Sequence, residues 1–298
     1  MKHFIDINNF SKKKIDEILL LAKKIKKNPK KFLSACENKT LALIFEKQSL
    51  RTRLSFSIGI QKLGGNFIEL NSNDIGFNNI RESNQDVLSV LSQYVDCIMI
   101  RNNDHQKLTD LAALNKIPVI NGLTDYSHPC QILGDFLTIQ ENFKNYQNIN
   151  ITWIGDFNNV TRSLLQLQNL YMFNLNLVVP EKILKISKNK LKAYSNKNLN
   201  ILTNPIIGTK NSNCIMTDVW VSMGDKDKNK KKYFQNFTVN KQMIKNANKN
   251  VIFMHCLPAI REEEVTSEVL DGNKSVILEQ AKNRMYIQQA ILIYVLKK

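Results

Sequence analysis

Long hydrophobic runs are missing from this sequence, and so is a recognisable secretory leader. A helix that crosses a membrane needs about 20 mostly apolar residues, and no stretch of the chain approaches that length. The apolar patch from Ile18 to Ala22 is short and has lysines on both sides, unlike the core of a signal peptide. We therefore expect a cytoplasmic protein that has no membrane partner.

Paired cysteines are also missing. The chain has five cysteines, an odd number, and none of them belongs to a C-x-x-C pair. This arrangement argues against a disulfide framework and against a structural zinc site, so we expect free thiols and no bound metal. The five are Cys36, Cys97, Cys130, Cys214 and Cys256.

A dinucleotide-binding glycine motif is absent as well. The stretch NITWIGDFNN, Asn150 to Asn159, reads as a strand followed by a turn that contains a single glycine. A Rossmann site needs the spacing G-x-G-x-x-G after such a strand, and that spacing does not occur here. We therefore reject a dinucleotide cofactor.

Acidic residues are too few to balance the basic ones, which leaves a formal net charge of +16. Such an excess can indicate a nucleic-acid partner. The lysines, however, are scattered among asparagines along the whole chain, and no basic stripe is interleaved with aromatic residues. A solvated, lysine-rich surface is the preferred interpretation, and nucleic-acid binding stays open as an alternative.

Arginine is scarce, since only seven of the 42 basic residues are arginines. Because this chain uses lysine wherever a generic positive charge suffices, each arginine is a candidate for planar, bidentate recognition of phosphate or carboxylate. The seven are Arg51, Arg53, Arg81, Arg101, Arg162, Arg261 and Arg284.

Alternating structural signals are what the sequence does contain. Its 298 residues, 43% of them hydrophobic, are enough for two domains of ordinary size. Short apolar runs alternate with amphipathic segments through both halves, a pattern typical of parallel α/β sheets. Ligands bind at the carboxyl ends of the strands in such sheets, so polar residues at those ends are site candidates.

The stretch FEKQSLRTRLSF, Phe45 to Phe56, carries the strongest local signal. It follows a predicted strand and opens a predicted helix, at whose N-cap position Ser49 stands. Backbone N–H groups, two hydroxyls and Arg51 would meet at this helix start, which predicts a phosphate site, whereas a solvated basic helix start is the alternative. The apolar residues at helical spacing are Leu54, Ile58 and Leu63.

Other candidates follow later strands. Arg101 ends a predicted strand, and His128 with Gln131 lies between the next strand and a helix. A cysteine nucleophile has to be weighed because Cys130 and Cys256 each adjoin a histidine. No oxyanion-type glycine elbow accompanies either pair, and an arginine-rich phosphate cradle does not suit a thiol hydrolase, so we disfavour that chemistry.

Taken together, these motifs resemble those of the ornithine carbamoyltransferases, within the wider aspartate and ornithine carbamoyltransferase family. The resemblance covers nearly the full length and rests on four motifs in the family's order. They are the cradle at Ser49 to Arg53, HPCQ at His128 to Gln131, SMG at Ser222 to Gly224 and HCLP at His255 to Pro258.

The resemblance implies two doubly wound α/β domains, each with a central parallel sheet. The first would bind carbamoyl phosphate and span residues 1–140, completed by a C-terminal helix, 280–298, that crosses back to it. The second, 141–279, would bind ornithine. The implied reaction carries the carbamoyl group of carbamoyl phosphate to the side-chain amine of L-ornithine, needs no cofactor, and takes place in a homotrimer or a multiple of trimers.

The resemblance also assigns residues to these substrates. Arg101, His128, Gln131 and Cys256 would be catalytic, and Arg53 partly structural. The carbamoyl phosphate set is Ser49, Leu50, Arg51, Thr52, Arg101, His128, Pro129, Cys130, Gln131, Cys256, Leu257 and Arg284. The ornithine set is Asn159, Asp218, Ser222 and Met223, with Asp218 at the α-amino group and Asn159 on the α-carboxylate side.

Two departures from the family's pattern bear on carbamoyl phosphate binding. Leu50 replaces the usual threonine of the cradle and removes one hydroxyl. In the polar loop from Asn71 to Ser83 the family's glycine-arginine pair and nearby glutamine are replaced by Phe77, Asn78, Asn79 and Ile80. For the acceptor, putrescine or an acylated ornithine remains an alternative to ornithine.

Overall fold

The computed structural model describes residues 1–71, 75, 82–221, 227 and 229–297. The chain divides into two compact units. Unit 1 comprises Met1–Gly134 and Lys282–Lys298, and unit 2 comprises Asp135–Ala281. Among the described residues, no helix has both the length and the apolar character that crossing a membrane requires.

Unit 1 is built on a four-stranded parallel sheet with the order β2-β1-β3-β4. Its strands are β1 (Thr40–Phe45), β2 (Asn66–Asn71), β3 (Cys97–Arg101) and β4 (Val119–Leu123). The helices along this part of the chain are α1 (Lys12–Lys27), α2 (Leu50–Gln61), α3 (Asn84–Tyr94), α4 (His105–Ala113) and α5 (Pro129–Asn142). The predicted alternation of strand and helix is confirmed.

Unit 2 is built on a five-stranded parallel sheet with the order β7-β6-β5-β8-β9. Its strands are β5 (Asn150–Ile154), β6 (Asn174–Val178), β7 (Leu199–Leu202), β8 (Cys214–Thr217) and β9 (Ile252–His255). The helices are α6 (Asn159–Tyr171), α7 (Glu181–Lys192), α8 (Pro205–Thr209), α9 (Lys241–Asn246), α10 (Ser267–Leu270) and α11 (Ile277–Leu296), whose later turns belong to unit 1.

The strand order of each sheet creates a point where ligands bind. In unit 1 the chain runs from β1 to one edge of the sheet and from β3 to the other edge, so the direction of the crossovers changes between β1 and β3. In unit 2 the direction changes in the same way between β5 and β8. The last residues of these strands are direct register partners, Phe45 with Arg101 and Ile154 with Thr217. Parallel sheets bind ligands outside the carboxyl ends of the strands at such switch points, so each unit offers one.

Helix α2 forms where the sequence predicts it, but of the three residues at the predicted apolar spacing only Leu63 is buried. Leu54 and Ile58 are 50% and 40% exposed, whereas Phe56 and Ile60 are fully buried. The buried face otherwise carries small residues that let the helix pack closely, namely Thr52, Ser55, Ser57 and Gly59. An exposed apolar stripe therefore runs along α2, and we call Leu50, Leu54 and Ile58 the α2 stripe.

Candidate active site

The turn that joins β1 to α2 ends in a capped helix start. The Thr52 backbone N–H donates to Ser49 Oγ at 3.3 Å, and Ser49 has the extended backbone of an N-cap, so that prediction is confirmed. Leu50 occupies the first helical position with its side chain 66% exposed. The remaining backbone N–H groups of this first turn are the donors that helix N-termini offer to anions.

Arg101 joins this turn from the end of β3. Its side chain is buried, and Nη1 donates to Thr52 Oγ1 at 3.2 Å. Burial and the nearby Arg51 charge lower the Arg101 pKa to about 10. Among the described residues no carboxylate pairs with Arg101, so none of them compensates this buried charge.

The start of α5 brings His128 and Gln131 to the same unit. Arg284, from α11, donates through Nη1 to Gln131 Oε1 at 2.7 Å. The two helices meet closely because Gly134 has no side chain: a Cβ there would lie 3.0 Å from the Arg284 Cα. Burial, together with the charges of Arg101 and Arg284, holds the pKa of His128 well below its usual value, so the imidazole is neutral at pH 7.

Pro129 and Cys130 form the first turn of α5, where a proline at the first position needs no N–H partner. Cys130 is buried, its thiol donates to the Asn121 carbonyl oxygen at 3.4 Å, and burial raises its pKa to about 12. A thiol with so high a pKa is not a nucleophile at pH 7. The sequence-based rejection of Cys130 as a nucleophile therefore has a physical basis.

Carboxylates of the protein itself pair with Arg53 and Arg261. Arg53 pairs with Glu69 and lies over the Phe45 ring, with Cζ 4.5 Å from its centroid. Arg261 forms a bidentate pair with Asp271 on the surface, at 2.5 and 2.9 Å. Scarcity of arginine thus indicated planar pairing correctly, but it did not distinguish pairing with the protein from pairing with a ligand.

The turn after β5 in unit 2 holds a second group of polar residues. Gly155 has φ +145°, a conformation that side chains disfavour, and both Trp153 Nε1 and Thr161 Oγ1 donate to the Asp156 carbonyl oxygen. These contacts fix the turn that leads into α6, whose second residue Val160 donates its N–H to Asn159 Oδ1.

Asn158 links this turn to the end of β8. Its Oδ1 accepts from the Thr161 N–H at 3.0 Å and caps α6, while its Nδ2 donates to Asp218 Oδ2 at 2.9 Å. One amide thus fixes both the helix start and the buried carboxylate. Asn158 was not predicted from the sequence as a site residue, although an asparagine before a predicted helix is a standard N-cap signal.

Asp218 lies beside the residues that follow β9. One oxygen of Asp218, a ring nitrogen of His255 and the sulfur of Cys256 lie within 4.8 Å of one another. His255 uses both ring nitrogens inside the protein: Nδ1 accepts from the Leu257 N–H and Nε2 contacts Glu264. Ser222 and Met223, like Phe77 to Ile80 in the first unit, lie outside the described residues.

Comparison with known proteins gives consistent results for both units. The model of the "Aspartate/ornithine carbamoyltransferase, carbamoyl-P binding domain" matches residues 2–141, and that of the "Asp/Orn binding domain" matches residues 147–295. The chain is 40% identical to the ornithine carbamoyltransferase of Nitrobacter winogradskyi, covering 99% of this chain and 97% of that one. It is also 40% identical to the Methanococcus vannielii ornithine carbamoyltransferase, over 88% of each chain.

Solved structures agree. The ornithine carbamoyltransferase from Pyrococcus furiosus superposes with a TM-score of 0.88 at 37% identity, covering 99% of this chain and 97% of that chain. The anabolic ornithine carbamoyltransferase from Campylobacter jejuni superposes with a TM-score of 0.87 at 35% identity, covering 99% of both chains.

Proposed function

The chain belongs to the aspartate/ornithine carbamoyltransferase family, and from that premise we propose that it transfers the carbamoyl group of carbamoyl phosphate to the side-chain amine of L-ornithine. The products are L-citrulline and phosphate, and the reaction needs no metal or organic cofactor. Similarity to ornithine carbamoyltransferases along nearly the whole chain supports ornithine over aspartate as the acceptor.

Carbamoyl phosphate binds to unit 1 in this proposal. The main support is the buried Arg101 guanidinium, which has no carboxylate partner among the described residues. A buried guanidinium without a carboxylate partner is costly until an anion compensates it. The proposed phosphate ligands are Ser49, Arg51, Thr52 and the backbone of Leu50, at the helix start where N–H groups and the helix dipole favour negative charge. Pro129 and Cys130 shape the turn that presents His128.

The carbamoyl group is polarised by Arg101, His128 and Gln131. Arg284, which donates to Gln131, adds a further contact to the anion. When an amine attacks the carbamoyl carbon, the carbonyl oxygen gains negative charge, and donors already aimed at that oxygen lower the barrier. A neutral His128 has one ring N–H that it can donate to this oxygen. Phosphate then leaves with its charge already compensated by the cradle.

Ornithine binds to unit 2 in this proposal. Asp218 accepts from the α-amino group, Asn159 lies on the α-carboxylate side, and Ser222 and Met223 complete the set. Cys256 and the Leu257 backbone contact the reacting amine and the carbamoyl end. Because the Leu257 N–H donates to His255, the backbone group that Leu257 contributes is its carbonyl oxygen. A free alkylamine has a pKa of about 10.4, so the neutral nucleophile costs about 4 to 5 kcal/mol at pH 7, and a site that stabilises the neutral amine recovers part of this cost.

The cellular setting belongs to the same proposal: a cytoplasmic homotrimer that works in arginine biosynthesis. The anabolic enzyme among the structural relatives supports the pathway. The α2 stripe supports assembly, because a run of exposed apolar side chains on one helix face is typical of an interface. Five cysteines without a disulfide support a reducing compartment.

A colorimetric assay for ureido products tests the function directly. The purified protein should form citrulline from ornithine and carbamoyl phosphate, and Arg51→Ala should abolish the activity. Arg261→Ala is the matched control, since it removes an arginine that pairs with Asp271 on the surface and belongs to neither proposed ligand set. If the wild-type protein forms no ureido product from ornithine, putrescine or N-acetylornithine, the proposal is wrong.

A further inference from the structure

A buried histidine and glutamate lie directly behind the turn that carries Cys256. The side chains of His255 and Glu264 are both fully buried, and His255 Nε2 lies 3.0 Å from Glu264 Oε1. The Leu257 N–H donates to His255 Nδ1 at 2.9 Å. Because Nδ1 accepts this bond, the ring hydrogen is on Nε2, from which it is donated to Glu264.

The same glutamate oxygen also accepts a hydrogen bond from the last residue of the turn, Ile260. The Ile260 N–H donates to Glu264 Oε1 at 2.7 Å, so this one oxygen accepts from both His255 and Ile260. Between them, Leu257 has φ +54°, a left-handed backbone that a branched side chain disfavours and that its surroundings must enforce. The two hydrogen bonds to Glu264 and the one to His255 supply that enforcement.

We infer that His255 and Glu264 act as a positioning pair for the acceptor amine: Glu264 fixes the His255 ring, and the ring fixes the Leu257 peptide and, with it, Cys256. The pair does not touch the substrate, since both side chains are fully buried and His255 uses both ring nitrogens on the protein. This inference deepens the proposed function and rests on it for the identity of the amine.

Glutamate variants separate an acceptor role from a charge role. Gln retains an oxygen that can accept from both His255 and Ile260, whereas Leu has a similar volume and no acceptor. We expect Glu264→Leu to lower kcat/KM for ornithine by about tenfold or more, the effect of leaving buried donors unpaired, and Glu264→Gln to stay much closer to wild type. KM for carbamoyl phosphate should change less than KM for ornithine in both. Glu268→Gln, in an exposed pair with Lys241, is the control for the chemical change alone.

Histidine variants test the ring nitrogens separately. The oxygen of Asn falls near the position of Nδ1 and can still accept from the Leu257 N–H, while the amide of Gln falls near Nε2 and leaves that N–H without an acceptor. His255→Asn should therefore retain more activity towards ornithine than His255→Gln. A purely structural role predicts that activity follows thermal stability in both variants, without this order and without a selective effect on ornithine.

Thiol reactivity gives a readout that does not depend on catalysis. Cys256 is half-buried while the other four cysteines are buried, so 5,5′-dithiobis(2-nitrobenzoate) reports mainly on this turn. Glu264→Leu and His255→Gln should change the rate of Cys256 modification severalfold, and Glu264→Gln should not. If both variants fold, keep the wild-type rate of modification and keep ornithine kcat/KM within about twofold, the inference is overturned. A wild-type protein that makes no citrulline while the thiol rates change as expected would instead refute the proposed function alone.

Discussion

Single residues in unit 1 are arranged so that the protein's own charges repel one another. Arg101 is buried beside Arg51, and His128 lies close enough to Arg101 and Arg284 for its pKa to fall. The perturbed pKa values of Arg101 and His128 are typical of functional clusters. The sequence supplied the residue types, but only the fold could show that Arg101 and Arg284 lie close enough to His128 to lower its pKa.

Protonation of His128 should destabilise the protein in acid. The folded state favours the neutral ring, so between the usual pKa of about 6.5 and the lower folded value the unfolded state binds more protons. Stability is therefore lost as pH falls below about 6.5, by up to about 1.4 kcal/mol per pH unit for this one group. The free energy of unfolding, measured with denaturant at about pH 7, 6 and 5, should depend less on pH for His128→Asn than for wild type. The same pH dependence in both proteins would contradict the assignment of this effect to His128.

Elements differ in how far the sequence determined them. β1 and β9 were predictable because their central residues are buried and read as continuous apolar runs, and α1 because Ser11 caps a regular apolar stripe. The predicted site residues Arg101, His128, Asp218 and Cys256 all follow from strand ends or the turns after them. β7 and α8 were not predicted, because segments of four or five residues are too short to show a strand or helix periodicity in the sequence. The true buried face of α2 was hidden because it is made of serine, threonine and glycine.

The contact between α5 and α11 should be sensitive to a single methyl group. Gly134→Ala would place a Cβ 3.0 Å from the Arg284 Cα and 3.2 Å from its Cβ, so α11 has to shift. We expect a loss of about 1 to 3 kcal/mol in stability and a higher KM for carbamoyl phosphate, because Arg284 moves away from Gln131. Denaturant unfolding and steady-state kinetics measure the two effects.

Gly59→Ala provides the matched control for that change. Gly59 also lies in a helix that packs on α11, but an added Cβ would meet only flexible side chains at ordinary contact distances, Gln289 at 3.4 Å and Met285 at 3.9 Å. This variant should be neutral or gain about 0.4 to 1 kcal/mol from the lower entropy of its unfolded chain. Equal losses of stability in both variants would show that the close approach of α5 to Arg284 does not cause the effect of Gly134→Ala.

The whole molecule presents a strong positive charge and, on α2, an apolar stripe. Net charge of +16 was compatible with a nucleic-acid partner, yet the full-length similarity to carbamoyltransferases explains the chain without one. Sequence patterning could not reveal the stripe, because Leu54 and Ile58 look like core residues until the fold exposes them.

If the α2 stripe contributes to the proposed trimer, one charge should weaken assembly. Leu54→Glu is expected to shift the molar mass measured by light scattering from that of a trimer towards that of a monomer, because a carboxylate is costly to bury in an interface. Leu20→Glu, at a similarly exposed leucine of α1, should leave the mass unchanged. A trimer that persists equally in both variants would place the interface elsewhere.

Arg284 is separated in sequence from every other residue of the proposed anion site, since unit 1 is made of two segments with the whole of unit 2 inserted between them. During synthesis, the strands of unit 1, the helix start at Ser49 and the His128 turn all leave the ribosome well before α11 does. A nascent chain can therefore assemble most of the phosphate cradle while it still lacks the side chain that holds Gln131. Competence to bind carbamoyl phosphate fully would then be one of the last properties that the growing chain acquires.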